Sequence, residues 1–535
     1  MFLPLLAALP IAVVLALMLG LHWGSTRAGP VGWAVALVVA FGAFGAGPKL
    51  LAYSQVKGLL LSAYVLYIVW FALALYRVVD EAGALRSISA AVARMTGDRM
   101  LQLLVLSWAF GSFLQGVTGF GVPVAIVAPL LVGLGFPAVT SVVATSIGSG
   151  WAVTFGSLGS AFYAMLAVTG LDGYGLAPAS AALLGVCCVL CGLVPPWLHD
   201  GWAGLRHALP AVLAIGLAMA ATQYVLAVHG AWSLAAFGGG CAGLVVAAGV
   251  ARLGRYGEGD RVKQESRPES RPDPSPDPSP GPPPDPPLMP LPVAFLAYLV
   301  LVAIVMAAGM TVLGSYLDRV EIAIPFPATQ TALGWENPAG PGRTLSVFGH
   351  PGALIAYACL ITFVAYLWLG HYAPGAGRRI LRATVRGSIA PTLGIVFLVG
   401  MAATMNESGM TFALAEGIAR GAGGAFPLTA PFIGAIGAFV TGSNTNSNVL
   451  FGPLQMHTAE LLGFGTPLIM AAQNAGGGVG SVFAPAKIVV GVSTVGLAGA
   501  GEEGEALRRT MVVGLAVIGV AAVVVWLGAL VQARW

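Results

Sequence analysis

The amino-acid sequence predicts an all-α integral membrane protein of about 12–14 transmembrane helices, organised as an inverted repeat with re-entrant hairpins and broken helices. Three observations carry that prediction. Charged residues make up only 9% of the 535 positions and hydrophobic ones 57%, against about 25% charged in a soluble globular chain. Apolar stretches able to cross a hydrocarbon core of ~30 Å at ~1.5 Å per residue recur along the chain, from "FLPLLAALPIAVVLALMLG" at one end to "MVVGLAVIGVAAVVVWLGAL" at the other. The two halves also resemble each other when laid over one another at a fixed offset.

Taken in order, the first apolar stretch has no basic residues ahead of it and is followed by further spans, so it reads as a retained helix rather than a secretory signal. Basic clusters at 77–99, 252–271, 378–386 and 508–509 mark cytoplasmic loops. Three spans precede the first cluster, which places the N-terminus outside, and two spans separate the second cluster from the third, which keeps the parity. The intervening loop, 311–351, is then external. "SRPESRPDPSPDPSPGPPPDPPLMPLP" lacks an apolar face, and its prolines favour an extended conformation. It divides the chain into an N-terminal membrane half (1–250), a cytoplasmic charged and proline-rich linker (251–290) and a C-terminal membrane half (291–535).

Several classes fall away. Cys187, Cys188, Cys191, Cys241 and Cys359 sit in apolar segments without metal-ligand spacing, so neither a metal nor another cofactor is expected. The net charge of +4 comes mainly from loop arginines, and no basic stripe with interleaved aromatics points to nucleic acid. Triad, metal-spaced histidine cluster and nucleotide loop are all missing, so an enzyme is not expected. The predicted partners are the lipid bilayer and a small solute.

The repeat appears at an offset of 326 residues, where "VDEAGALRSISAAVARMTGD" from Val79 falls on "MNESGMTFALAEGIARGAGG" from Met405, pairing Glu81 with Glu407 and Gly83 with Gly409. "GSFLQG" (111–116) then falls on "GAFVTG" (437–442). The basic clusters make the two copies enter from opposite faces, the pattern of secondary transporters that bind substrate near the bilayer midplane.

Two pairs of matched segments are candidate site material. "QGVTGFGVPVAI" (115–126) and "TGSNTNSNVLFG" (441–452) read as hairpin tips with non-helical backbone, which survives at membrane depth only where it is buried in protein or lines a watered cavity. They offer Gln115, Thr118, Gly119 and Gly121 from one copy, and Ser443, Asn444, Thr445, Asn446 and Ser447 from the other. Helix N-termini there would add partial positive charge. "ATSIGSGWAVTFGSLGS" (144–160) and "AAQNAGGGVGSVFAPAK" (471–487) read as broken segments carrying Ser149, Gln473, Asn474 and Lys487. Gly476, Gly477, Gly478 and Gly480 either break the helix or admit a neighbouring backbone.

Three ionisable residues are candidates for coupling. Lys487, one of four lysines, is either an anion partner or a lysine reaching for the interface. His457 lies beside Glu460 and titrates in the physiological range if unperturbed. Glu407 is the third, although its repeat partner Glu81 sits in a charged loop. Glu416 and Arg420 are four apart and pair on one helix face.

With these segments in view, the sequence resembles the lactate permease family: "FLQGVTGFGVPVAIVAPLLVGLGFP", "GSGWAVTFGSLGS", "TGSNTNSNVLFGPLQ", "AAQNAGGGVG" and "EGEALRRT" are similar to its signature stretches in order and spacing. The resemblance implies a bacterial inner-membrane carrier that takes up L-lactate, D-lactate or glycolate with a proton, and a hairpin-tip triplet, here Ser443, Asn444 and Thr445, that binds carboxylate. Gln115 and Asn444 stand where that family usually has Glu and Asp. A sodium-coupled dicarboxylate carrier is the alternative that two such amides leave open.

Overall fold

The computed structural model describes residues 2–21, 23–119, 121–253, 288–309, 311–496 and 500–532; most of the predicted linker, 254–287, lies outside the described residues. The first half comprises α1 (Phe2–Gly20), α2 (Ser25–Ala43), α3 (Pro48–Glu81), α4 (Ala84–Ala93), α5 (Arg99–Leu104), a π-helical turn (Val105–Phe110), α6 (Gly111–Val117), α7 (Val122–Gly133), α8 (Ala138–Gly150), α9 (Gly156–Thr169), α10 (Gly173–Val228) and α11 (Trp232–Val250). The second half comprises α12 (Leu291–Ala294), α13 (Leu296–Ala308), α14 (Thr311–Leu317), α15 (Pro351–Trp368), α16 (Ala376–Glu407), α17 (Met410–Ala422), α18 (Phe426–Thr441), α19 (Asn444–Leu462), α20 (Thr466–Gly480), α21 (Pro485–Thr494) and α22 (Ala500–Gln532). Between α14 and α15, six two-residue strands nest as three antiparallel ribbons spanning 321–346.

Among the described residues, ten helices are long and apolar enough to cross a bilayer, or up to twelve if each of two sharply bent pairs is one span. Counting α10 once brings that number below the about 12–14 expected. α10 is a hairpin: Asp200 and Gly201 leave helical geometry, and Gly185 then faces Ala220 and Gly216 faces Val189 across its two arms.

The predicted duplication is visible at the helix ends. Gly83 and Gly409, paired by the sequence offset, both adopt left-handed φ (79° and 80°) and cap the helices that follow them. Positive φ costs a side chain about 1–2 kcal/mol, so glycine suits both corners. α3 and α16 pack antiparallel. Gly58 meets Gly400 backbone to backbone, and Gly387 meets Leu73. An ion pair closes each end of this helix pair: Glu407 with Lys57 at 2.7 Å, and Glu81 with Arg379 at 2.7 Å. The repeat-paired glutamates thus each bind a base on the other copy's long helix, and the antiparallel crossing makes the repeat inverted.

Two local expectations need correction. The polar run at 441–452 is not irregular backbone: only Gly442 (φ 71°) and the extended Ser443 interrupt α18 and α19, and the helix resumes at Asn444. Ser443 supplies the cap that allows this, its Oγ accepting from the Asn446 N–H at 3.3 Å. Nor do the glycines of 476–480 break their helix. α20 runs through Gly480, and the break falls at Ala484–Pro485, where proline lacks the N–H that a continuing helix needs. The glycines serve close approach instead: a Cβ on Gly476 would strike the Pro431 carbonyl, one on Gly477 the Asn444 amide, and one on Gly480 the Ala435 backbone.

Candidate functional site

The tip of the α18–α19 hairpin stands between two cavities. A small one, about 30 Å3, is lined by Gln115, Val153, Ser157, Ser160, Ala161, Gly442, Ser443, Asn444, Thr445 and Lys487, and holds about one water. A larger one, about 320 Å3, adds Ser25, Val69, Ile395, Thr441 and Asn446, and shares Gly442, Ser443, Thr445 and Lys487 with the first. Val69 lies twelve residues from either Lys57 or Glu81, so at ~1.5 Å per residue the site sits about 18 Å along α3 from both ion-paired ends.

Donors and positive charge gather at this tip. α19 begins here, so the Asn444 and Thr445 N–H groups have no preceding helical turn to bond to, and the helix dipole places partial positive charge at them. Lys487 reaches the same point from α21. Its Nζ donates to Ser481 Oγ at 3.0 Å, and its stem packs over Gly121 at the first hairpin's turn. Among the described residues, no carboxylate lies within 4 Å of Lys487 to balance it. The Asn444 Nδ2 donates to Thr154 Oγ1 at 3.0 Å, and its buried Oδ1 is left without a partner.

α9 supplies the remaining wall through a strained turn. Ser157 and Leu158 have φ of 48° and 56°, followed by Gly159 at 81°. Non-glycine residues in that region cost of order 1–3 kcal/mol each and gather at ligand sites. The turn brings Ser157 and Ser160 to the small cavity and packs Ser157 against Gly119.

Of the predicted residues, Gln115, Ser443, Asn444, Thr445, Asn446 and Lys487 converge on the cavities. Gly119 and Gly121 shape the first turn (φ 64° and 85°) without lining either cavity. Thr118 donates back to the Leu114 carbonyl at 2.7 Å and Ser149 to the Thr145 carbonyl at 3.0 Å, so both hydroxyls are spent within their own helices.

Ser447, Gln473 and Asn474 lie behind the tip, fully buried. Gln473 Nε2 donates to Ser447 Oγ (3.0 Å) and Asn448 Oδ1 (3.2 Å), while Gln455 Nε2 donates to Gln473 Oε1 (2.5 Å). Asn448 Nδ2 donates to Asn474 Oδ1 (2.8 Å), and Asn474 Nδ2 to Ser180 Oγ (3.1 Å). Every amide donor in this network is used, while the buried Gln455 Oε1 has no partner.

The two acidic and imidazole candidates lie elsewhere. Glu407 is about 18 Å along α16 from Ile395 and bound to Lys57; His457 faces Glu460 at 3.1 Å. The sequence reading missed Ser25, Thr154, Ser157 and Ser160. Ser157 and Ser160 sit inside a segment singled out as broken, and that break was their signal; Ser25 carries none.

Residues 4–270 and 334–532 match the family model for L-lactate permease. The chain is 28% identical over 460 residues to "Glycolate permease GlcA" of Escherichia coli (strain K12), covering 84% of this chain and 81% of that one. It is 27% identical over 459 residues to an L-lactate permease of Salmonella typhimurium (strain LT2), with the same coverage of 84% and 81%. Among solved structures, the YdaH transporter of Alcanivorax borkumensis aligns with a TM-score of 0.47 at 14% identity, over 89% of this chain and 87% of that one.

Proposed function

Because the chain belongs to the L-lactate permease family, we propose that it is a secondary active transporter that carries lactate or a related 2-hydroxycarboxylate such as glycolate, by proton symport, across a bacterial cytoplasmic membrane. Lys487 is the observation that carries this reading: one ammonium, unbalanced by any carboxylate among the described residues, beside a helix N-terminus and neutral hydroxyls and amides. One fixed positive charge matches one carboxylate. The hydroxyls of Ser443 and Thr445 and the Asn444 amide then suit a 2-hydroxyl group, as donors and acceptors within the same wall.

The same charge weighs against the sodium-coupled dicarboxylate alternative. A second carboxylate would find no cation among the cavity-lining residues, and a sodium ion 4 Å from an ammonium is repelled by about 4 kcal/mol at an effective dielectric constant near 20. Lys487 is also the sole ionisable residue lining the two cavities, with Gln115 and Asn444 both amides. Proton symport is therefore assigned to it: the loaded carrier holds the protonated amine against the carboxylate, and the empty carrier returns with the neutral amine. The experiment is L-lactate uptake into proteoliposomes under an imposed inward proton gradient, with and without sodium and with glycolate or succinate as competitor. Uptake that needs protons, ignores sodium and yields to glycolate but not succinate is expected; a sodium requirement would overturn the coupling.

A further inference from the structure

A second cavity of about 310 Å3 lies along the same seam of helices as the central site. Its walls include Lys57 and Leu61 of α3, Ala402, Asn406 and Glu407 of α16, Pro453 of α19 and Arg343 of the ribbon insertion. The offset from the central site is constant. Leu61 precedes Val69 by eight residues, Ala402 follows Ile395 by seven, and Pro453 follows Asn446 by seven, so the cavities stand about 10–12 Å apart along three helices. Between the two levels these helices contribute the buried Val65, Val399 and Val449.

The charges of this outer cavity do not cancel. Lys57 is matched by Glu407 at 2.7 Å, but Arg343 has no carboxylate within 4 Å among the described residues. Its guanidinium stacks on the Tyr64 ring with its centre 4.3 Å from the ring centroid, and its buried Nε has no hydrogen-bond partner. A planar cation held in place by a ring, with donors free, is built to take a carboxylate. Nearby His350 does not change the sign, because burial and Arg343 push its pKa down to about 3 and keep it neutral.

We propose that this outer cavity is a second binding site for the transported monocarboxylate, a waiting position at which Arg343 receives the anion before it reaches Lys487; the proposal rests on the transport reading above. Glu407 plays the opposing part, holding Lys57 and keeping the site's affinity low enough for the anion to move on.

The opposite signs of these two residues make the test specific. Half-saturation of L-lactate uptake in proteoliposomes is measured for R343Q, R343K, E407Q and the double variant K57Q/E407Q, with thermal midpoints confirming that each variant is folded. R343Q is expected to raise the half-saturation concentration about tenfold, R343K less. E407Q is expected to lower it about threefold, and K57Q/E407Q to fall between E407Q and R343Q. All shifts are expected to shrink at 0.5 M salt, where the Debye length is only a few ångströms. Shifts of the same sign for R343Q and E407Q, or none, would overturn the waiting site while leaving the central site standing. A wild-type protein that takes up neither lactate nor glycolate would retire the transport reading and the waiting site with it.

Discussion

The start of α19 has two faces made of the same residue types, and they do different work. On one, Ser443, Thr445 and Asn446 face cavities beside an unbalanced lysine. On the other, Ser447 and Asn448 join Gln455, Gln473 and Asn474 in a buried hydrogen-bond network that uses every amide donor and lines neither of those two cavities. A polar group deep in an apolar protein costs little once it is satisfied and several kcal/mol when it is not. The difference between the faces is therefore one of saturation: the back face spends its amide donors within the protein and fixes the tip, whereas the front face turns Ser443, Thr445 and Asn446 to a cavity.

Substitutions at the back face are expected to have the largest effect. Gln473→Leu removes one partner each from Gln455, Ser447 and Asn448; Gln455 Nε2 keeps the Ala430 carbonyl and Ser447 Oγ the Gly434 carbonyl, but the Asn448 Oδ1 is orphaned. The change is therefore expected to cost about 3 kcal/mol, the upper end for one orphaned buried group with two further bonds lost, and to reduce the yield of folded protein in detergent. Wild-type yield and thermal midpoint would show the network to be dispensable. Next in size is Gly477→Ala. Its methyl would collide with the Asn444 side-chain oxygen, and overpacking of this kind costs about 1–3 kcal/mol, so both the thermal midpoint and lactate affinity are expected to fall.

His350, which lines neither of the cavities beside the hairpin tip, provides a pH-dependent control. The folded protein keeps this imidazole neutral down to about pH 3 through burial and the Arg343 charge, whereas an unfolded histidine protonates near pH 6.5. Its contribution to stability is complete above pH 6.5 and declines as pH falls from 6.5 towards 3. At pH 5 the loss is about 2 kcal/mol. Thermal midpoints at pH 7 and pH 5 for wild type and H350N are expected to show a steeper acid loss in wild type; parallel curves would contradict this. The smallest effect belongs to Ser443→Ala, which removes a helix cap worth about 1 kcal/mol from the front face. Lactate affinity is expected to drop severalfold with folding nearly intact, and a change in midpoint without a change in affinity would move Ser443 to the back face.

Much of this arrangement is legible in the order of the residues alone. The offset that pairs Gly83 with Gly409 and Glu81 with Glu407 marks two left-handed caps and the two ion-paired ends of the α3–α16 crossing. Polar runs in an apolar chain mark the hairpin tip, and the rarity of lysine singles out Lys487. The side of a helix on which an amide falls is not legible in the same way. Asn446 and Ser447 are adjacent in sequence, yet the 100° step between them separates cavity from network. Nor can glycine spacing reveal that Gly476 and Gly477 seat α18 and Asn444 rather than break α20, since both roles use the same missing side chain. Ser25 is invisible because its contribution depends wholly on how α2 packs against α16.

The central claim is that Lys487 supplies the charge that holds a single carboxylate at the front face. The direct measurement is proton-driven L-lactate uptake by Lys487→Met and Lys487→Arg in proteoliposomes, beside wild type. Losing a buried charge partner costs about 3 kcal/mol or more, so Lys487→Met is expected to reduce uptake at sub-saturating lactate about a hundredfold. Lys487→Arg, which keeps the charge but does not readily release a proton, is expected to retain lactate binding and lose proton-driven accumulation. Lys487→Met with wild-type uptake and affinity would contradict the account.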